Sequence, residues 1–272
     1  MNTLSNTVQT EFENIGHFKN NEKLISGNQK LTLSKAICLT QRDYELLRFL
    51  IEMKFASVIE ICHKFFTNVQ PENINGVNTY AIKRLVQLKK EGFLNSTKAF
   101  DASKRLFYPT QKAYSSLTKV FPGEGLPKPG KTIDGRTVVH DYYLLILRLK
   151  LESQFNATQW ISDRTLRAAT GKPDSIIGND TPDGIYTDAE GEIVALELEV
   201  SVKTKARYLN KVNNYVKLIR ENRTNPEMFK KVHYVVFSDT SRKLLEAYIG
   251  IYKQFFKIEM ATKYNLKNGL FA

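Results

Sequence analysis

The pattern of apolar and polar positions divides the chain into a mostly helical first part and a second part that contains strands. In the first part apolar residues recur three or four positions apart, which predicts helices from Gln41, over Val58–Phe66 and over Val77–Glu91. Two short β-like runs follow, Phe93–Thr97 and Arg105–Pro109, with a polar turn between them. The pattern therefore predicts three helices and then a hairpin.

Three helices followed by a hairpin form the plan of a winged helix, a helix-turn-helix variant whose third helix enters the major groove of DNA. We assign this region to residues 33–120. Residues 1–32 are polar and rich in Asn, which predicts a flexible arm. Residues 121–136 are rich in Pro and Gly, which is typical of a linker.

Four basic residues lie where a winged helix contacts DNA. Lys83 and Arg84 lie on the outer side of the predicted third helix, and Lys104 and Arg105 lie at the wing. We expect these side chains to bind phosphates, because the phosphate backbone dominates affinity for DNA. A winged helix used only for protein contacts remains an alternative.

The second part, residues 137–272, predicts a mixed sheet flanked by helices, so the fold class is α+β. A hairpin followed by a crossover helix and another strand gives both antiparallel and parallel pairs. The predicted elements are a helix over Val138–Glu152, a strand over Ala157–Ile161, a short helix after Ser162, hairpin strands over Gly184–Thr187 and Glu192–Val200, a helix from Ser201 to Arg220, a strand over Val232–Ser238, a helix over Ser241–Phe256 and an edge strand over Lys257–Met260.

Composition favours nucleic acid as the partner. The 272 residues include 40 Lys and Arg against 28 Asp and Glu, a formal net charge of +12, which suits a polyanion such as double-stranded DNA. No apolar run reaches the roughly 18 residues of a membrane span, and the polar start differs from a signal peptide, so we expect a cytoplasmic protein with no membrane partner. Cys38 and Cys62 lie in apolar surroundings, and we expect reduced core residues.

Three carboxylates of the second part form the candidate chemical site. Asp183 stands between a proline and a glycine, while Glu197 and Glu199 lie two apart on a predicted strand and share one face. Buried carboxylates need a positive partner, and their oxygen atoms suit Mg²⁺ or Mn²⁺. Two alternatives remain: a simple turn at Asp183, and pairing of the two glutamates with Lys203 and Arg207 on a solvated face.

The pair Pro182-Asp183, followed by an acidic strand, resembles the PD-(D/E)xK restriction-endonuclease-like fold. That family has a lysine two positions after the strand glutamate, where this chain has Glu199. The nearest lysines, Lys203 and Lys205, begin the following helix, and a lysine displaced onto that helix is a known variation. Together with the winged helix, His140 and the Trp-Ile-Ser-Asp run, the motifs more narrowly resemble plasmid replication-relaxation proteins and MobC-type relaxases.

This resemblance implies a site-specific endonuclease that nicks DNA at a plasmid origin of transfer or replication, with an accessory mobilisation protein as a further expected partner. Asp183 and Glu197 would bind Mg²⁺ or Mn²⁺, and Glu199 or Asp163 would complete the metal shell or hold the attacking water. The alternative is a non-catalytic DNA-binding accessory or regulatory protein with a degenerate nuclease fold.

The basic residues around these carboxylates have roles implied by the same resemblance. Lys203 would stabilise the charged phosphorane, and His140 would contact the scissile phosphate or move a proton. The residues expected to hold flanking phosphates are Lys205, Arg207 and Lys211.

Other chemistry-bearing residues have structural interpretations. His63 and His233 lie in apolar runs and are expected to be packing residues, and Tyr208 and Tyr215 belong to a predicted buried stripe. Asp174 follows a second proline and is a rival for Asp183, although no acidic strand comes after it. The histidine-hydrophobic-histidine motif of common relaxases is absent from the sequence, as is the G-x-x-x-x-G-K-[ST] phosphate loop of ATP-driven motors.

Overall fold

Both predicted parts of the chain are present in the computed structural model, and their α+β fold class is confirmed. The predicted arm, residues 1–32, lies outside the described residues, as does Asp174. The structure describes residues 37–66, 78–98, 104–123, 125–170 and 181–266.

The first part contains the three predicted helices and the predicted hairpin. Its described elements are α1 (Gln41–Met53), β1 (Ala56–Ser57), α2 (Val58–Phe65), α3 (Thr79–Lys90), β2 (Leu94–Lys98), β3 (Arg105–Pro109) and α4 (Gln111–Val120). Strand β1 joins β3 and β2 in a three-stranded antiparallel sheet. The sequence pattern predicts neither β1 nor α4, because β1 has only two residues and α4 buries only Ala113 and Leu117.

Local capping explains where the first helices begin and end. Thr40 and Asp43 form a capping box at the start of α1, and Ser57 and Glu60 form another at the start of α2. After α3, Gly92 adopts a left-handed φ of +77°, as its predicted capping role requires. The predicted inward residues of α3 are buried: Ala81, Leu85 and Leu88.

The second part forms a five-stranded sheet flanked by helices. Its described elements are α5 (Val138–Gln154), β4 (Thr158–Ser162), α6 (Asp163–Thr170), β5 (Gly184–Thr187), β6 (Ile193–Glu199), α7 (Lys205–Glu221), β7 (Lys231–Val236), α8 (Asp239–Ile249) and β8 (Phe256–Met260), with 3₁₀ turns at Gly250–Phe255 and Ala261–Tyr264. The strand order is β4-β5-β6-β7-β8. The first two pairings are antiparallel and the last two parallel, because α7 and α8 carry the chain back between strands.

Two predicted helix starts in this part are wrong. The side chain of Thr204, rather than Ser201, accepts the capping hydrogen bond at the start of α7. Ser238 caps α8, so Ser241, the predicted start, lies inside the helix and is buried. Helix α8 ends at Ile249 instead of Phe256, where Gly250 adopts a positive φ of +46°.

Both faces of the five-stranded sheet are covered. The buried stripe predicted on α7, which runs from Tyr208 through Val212 and Tyr215 to Ile219, is confirmed and packs on one face together with β7. The other face belongs to a cluster that continues through α5 into the first part of the chain. Leu126, in the predicted linker, is buried in that same cluster.

Ion pairs also join the first and second parts. Arg148 on α5 donates to Glu52 on α1 at 2.7 Å, and both side chains are more than nine-tenths buried. Lys54, after α1, donates to Asp141 on α5 at 2.6 Å. From Ile37 onward the chain groups as one compact unit, so the candidate DNA-binding region and the sheet share one core.

Two further observations concern exposure. Cys62 is buried as predicted, but Cys38 is exposed, because it precedes α1 and its apolar neighbours pack without it. None of the helices in the described ranges combines the length and the apolar character that crossing a membrane requires.

Candidate active site

The predicted carboxylates gather at one end of strands β5 and β6. Asp183 lies immediately before β5, and its Oδ2 accepts a hydrogen bond from the Leu198 N–H at 2.8 Å. The neighbouring backbone holds this turn in place, since the Asp183 N–H donates to the Leu196 carbonyl at 3.0 Å. Asp183 is therefore fixed beside the strand that carries Glu197 and Glu199.

Glu197 is the most buried carboxylate of the site, with an exposed fraction of 1%. One of its oxygens contacts the ammonium of Lys211 and the other accepts from the Tyr215 hydroxyl. Burial raises the pKa of Glu197 to about 7, against the opposing influence of Lys211. Strand β6 thus places a carboxylate under α7, which supplies both of its partners.

Glu199 differs from Glu197 because one of its oxygens has no partner. Its Oε2 is buried and accepts no hydrogen bond in the structure, as is also true of the buried Tyr234 hydroxyl. Burial raises the pKa of Glu199, while Lys211 and Lys203 oppose that change. A buried, unpartnered carboxylate oxygen is costly unless it meets a cation, a proton or a water molecule.

His140 reaches the site from α5. Its Nε2 lies 3.4 Å from Asp183 Oδ2, and its Nδ1 lies 3.7 Å from Asp141 Oδ1. Burial alone would lower the pKa of His140, but the two aspartates outweigh it and raise that pKa to about 10. Burial alone would raise the pKa of Asp183, which His140 and Lys211 instead lower. The pair is therefore an imidazolium beside a carboxylate.

Asp163 lies at the edge of this group. It begins α6, and its N–H donates to the Asp183 carbonyl at 3.3 Å. Burial and the nearby Asp183 raise its pKa, while Lys54 opposes them. Arg167 lies 3.7 Å away, an ion pair too long to neutralise it fully.

A tight contact behind Asp183 explains the glycine that follows it. A Cβ on Gly184 would lie 2.7 Å from Cζ2 of Trp160, closer than side chains ever pack. Gly184 has no positive φ, so space rather than backbone conformation requires glycine here. The Pro-Asp-Gly triplet is thus more than a turn, because Gly184 lets Trp160 pack under the strand.

The donor set suits a divalent cation, but its present arrangement is that of a lysine-neutralised site. Within the described ranges, no three His, Cys, Asp or Glu side chains are arranged to hold a metal ion. Asp183, Glu197 and Glu199 offer the oxygen donors that Mg²⁺ and Mn²⁺ prefer, and Glu199 Oε2 lacks a partner. Lys211 forms an ion pair with Glu197, and the side chain of Lys211 is about one-fifth exposed. These three carboxylates are the residues that could hold a cation, and the contact between Lys211 and Glu197 would first have to open.

The other basic residues predicted around the site lie further out. Lys203 donates to Ser201 Oγ at 3.0 Å and lies before α7. Lys205 and Arg207 are exposed in the first turns of α7. Of the residues predicted to bind flanking phosphates, Lys211 alone is brought to a carboxylate of the site.

The basic residues predicted on the winged-helix region differ in availability. Lys83 is exposed, whereas Arg84 Nε donates to buried Asp43 at 2.9 Å and Nη2 donates to the Cys38 carbonyl at 2.8 Å. Arg105 is exposed, and its nearest partner is Ser96 Oγ at 3.3 Å. At the base of the wing, Lys104 lies 3.4 Å from the Tyr142 hydroxyl.

Sequence reasoning missed the roles of Lys211 and Tyr215. It assigned Lys211 to flanking phosphates and Tyr215 to the core, and Tyr215 is indeed fully buried. A signal was available, because residues four apart on a helix share a face and so both can reach one carboxylate.

Comparison of the chain with protein-family models, with curated proteins and with solved structures found no match.

Proposed function

We propose that the chain is a DNA endonuclease that nicks one strand, with its cleavage site at Asp183, Glu197 and Lys211. The observation that carries the proposal is the contact between Lys211 and Glu197 beside Asp183. Strand β6 has Glu199 at the position where a PD-(D/E)xK strand has lysine, so the motif lysine is absent from this strand. Lys211 supplies an ammonium group from α7 instead.

Each residue of the site has a task that its position suits. The ammonium of Lys211 can bind a non-bridging oxygen of the scissile phosphate and stabilise the charge that develops there. His140, held by Asp141 and Asp183, can contact the same phosphate from the α5 side. Tyr215 fixes the Glu197 carboxylate, so that this group keeps its orientation when Lys211 engages DNA.

A divalent cation, Mg²⁺ or Mn²⁺, is the cofactor expected at this site. Asp183, Glu197 and Glu199 would hold it, and when bound it supplies Lewis-acid polarisation of the phosphate and a more acidic water. Lys211 and His140 supply two positive charges to three carboxylates, so a divalent cation would reduce the repulsion that a bound DNA phosphate meets here.

DNA binding is supported by charge and by the helices of the first part. The formal net charge is +12, and α3 presents exposed Lys83 beside the hairpin with exposed Arg105. The shared core fixes this region relative to the carboxylates, as a nuclease that cuts near its recognition site requires. Nicking at a plasmid origin is the substrate that the sequence resemblance suggests.

A non-catalytic DNA-binding accessory protein is the second candidate. The observation that favours it is that both oxygens of buried Glu197 are already occupied, one by Lys211 and the other by Tyr215, which satisfies this carboxylate without a metal ion. In that case the carboxylates and Lys211 would be a structural pair within the sheet.

The test is nicking of a supercoiled plasmid that carries a sequence selected for binding to the chain. We expect open-circle product with Mg²⁺ or Mn²⁺, none with EDTA, and a loss of at least 100-fold with Glu197→Gln. Glu192→Gln is the matched control, because Glu192 lies just before β6 and pairs with Lys231 on the surface. Binding without nicking in either metal would favour the accessory protein.

A further inference from the structure

A cavity of about 300 Å³ lies beside the candidate active site. Its walls come from the turn after α1, from the end of β3, from the loop before α5 and from α5 and α6, with Lys54, Tyr108, Thr132, Asp134, Asp141 and Arg164 among the lining residues. Asp141 connects the cavity to the site, because its Oδ1 lies 3.7 Å from His140, which contacts Asp183. A ligand here would lie next to the scissile phosphate.

Hydrogen bonds and an ion pair within the protein hold the walls of the cavity in place without a ligand. Arg164 donates to the carbonyls of Ile51 and Lys128, and so fixes the end of α1 and the loop. Lys54 has a φ of +73°, a strained conformation for a residue other than glycine, and its ammonium donates to Asp141 at 2.6 Å. Strain of this kind is maintained at functional sites by surrounding contacts.

Charge in the cavity is already balanced, which indicates the class of ligand. Lys54 pairs with Asp141, and Asp134 pairs with Arg136 at 2.9 Å. Arg164 is occupied by backbone carbonyls. Among the described residues that line the cavity, a phosphate would therefore find no unpaired cation, whereas an uncharged ligand with hydrogen-bonding edges would find polar groups beside Tyr108.

The route of DNA suggested by the proposed function passes this cavity. Tyr108 lies on the same strand as Arg105, and Lys104 at its start contacts Tyr142, the neighbour of Asp141. A strand that follows the wing toward Asp183 would thus cross the opening. Enzymes that act on single nucleotides commonly turn a base out of the stack into such a pocket.

We propose that this cavity binds one unstacked nucleobase of the cleaved strand, next to the scissile phosphate. The proposal rests on the proposed nuclease function for its substrate. Tyr108 forms the stacking side, and the threonine and aspartate side chains meet the edges of the base.

The test measures binding of the four deoxynucleoside 5′-monophosphates and of 2-deoxyribose 5-phosphate to the full chain, by titration followed with NMR. We expect at least one nucleotide to bind at least tenfold more tightly than the sugar phosphate. Tyr108→Leu should weaken nucleotide binding about tenfold, since it removes a stacking surface. Tyr114→Leu is the matched control, because Tyr114 is also a half-buried tyrosine against the same core but lies outside the cavity.

Equal binding of the sugar phosphate, or nucleotide binding that Tyr108→Leu leaves unchanged, would overturn the proposal. Because nucleotide binding is measured without cleavage, it is independent of the nicking assay. In that assay Tyr108→Leu should lower the nicking rate at least fivefold relative to Tyr114→Leu. Nicking at the rate of the unmodified chain would exclude the cavity as a base site and leave the nuclease proposal standing.

Discussion

The ammonium group of Lys211 contacts the carboxylate of Glu197, although the two residues are 14 positions apart on a helix and a strand. Lys211 also influences the pKa of Asp183 and Glu199, so one cation serves three carboxylates. Because desolvated carboxylates need a positive partner, this lysine holds together a cluster that would otherwise repel itself.

Removal of that cation should create a site for a metal ion. In Lys211→Met, Glu197 loses its counter-charge and Asp183 and Glu199 lose part of theirs, so we expect Mn²⁺ to bind at least tenfold more tightly than to the unmodified chain in the absence of DNA. Isothermal titration calorimetry measures this directly, and the melting temperature should rise with added Mn²⁺. Lys217→Met is the control, because Lys217 lies on the exposed side of the same helix.

The combined change Lys211→Met with Glu197→Gln should cancel the gain in Mn²⁺ affinity. If Lys211→Met alone leaves Mn²⁺ affinity unchanged, the carboxylates do not form a cation site. Lys211→Met alone should also nick plasmid DNA at least 100-fold more slowly than the unmodified chain, since the phosphate loses its ammonium partner.

Lys83 and Arg84 are neighbours on α3 and should respond to substitution in opposite ways. Arg84→Met leaves the buried carboxylate of Asp43 without its cationic partner, so we expect a loss of about 3 kcal/mol in the free energy of unfolding. Lys83→Met should leave that free energy unchanged but weaken DNA binding and lower the slope of log affinity against log salt by about 1. Urea denaturation measures the two free energies of unfolding, and DNA binding at several salt concentrations measures the two slopes. Equal effects of the two variants on stability would contradict the prediction.

The sequence predicts the structural features that depend on residues close together along the chain. Thr40 and Ser57 as caps, Gly92 as a left-handed end and the Ala81, Leu85 and Leu88 face are local features, and all are confirmed. The order of the elements then limits the sheet, because the connections of parallel strands are restricted.

The remaining relationships depend on how distant elements meet. The sequence predicts that Arg84 is an outward-facing basic residue on α3. In the structure its guanidinium instead donates a hydrogen bond to Asp43, which lies 41 residues earlier in the chain. Ser201 and Thr204 are both capable N-caps, and the sequence does not decide between them because the crossing from β6 fixes the helix start. The spacing of Lys211 and Tyr215 indicates only that they share a helix face, and their pairing with Glu197 depends on how α7 packs on the sheet.

Gly184 should tolerate no side chain. In Gly184→Ala the new Cβ would press on Trp160, whose ring cannot move freely because it is packed in the core. We expect a loss of about 1–3 kcal/mol in the free energy of unfolding, as for other overpacked cores. Because Gly184 follows Asp183, nicking should fall as well.

Trp160→Phe tests that explanation, since the smaller ring removes the atom that Gly184→Ala would meet. Combined with Gly184→Ala, it should cost less than the sum of the two single changes. Strict additivity of the two free energies would show that the clash is not the cause.

His233, predicted as a packing residue, should control stability at mildly acidic pH. It is fully buried, with Nδ1 2.9 Å from the Tyr186 hydroxyl and Nε2 2.9 Å from Glu259. Burial lowers the pKa of His233 below its ordinary 6.5, despite the opposing effect of Glu259 and with a contribution from Lys257 and Lys263. The unfolded chain therefore binds a proton first as pH falls.

The sign follows from that difference. The stability contributed by neutral His233 is fully present above pH 6.5 and falls as the pH drops below 6.5, by up to about 1.4 kcal/mol for each unit by which the pKa is lowered. Glu259, whose pKa is also lowered, adds to this loss only below its ordinary value of 4.5.

Glu197 and His140, whose pKa values are raised to about 7 and about 10, also change stability between pH 5 and 8, and they do so in the opposite direction. The contribution of His233 is therefore the difference in melting temperature between the unmodified chain and His233→Gln over this range. His233→Gln should remove the part of the profile that falls below pH 6.5, and identical profiles for this variant and the unmodified chain would contradict the assignment. The expected packing role of His63 is wrong, because its side chain is exposed, so His63→Gln is a control that should retain the profile.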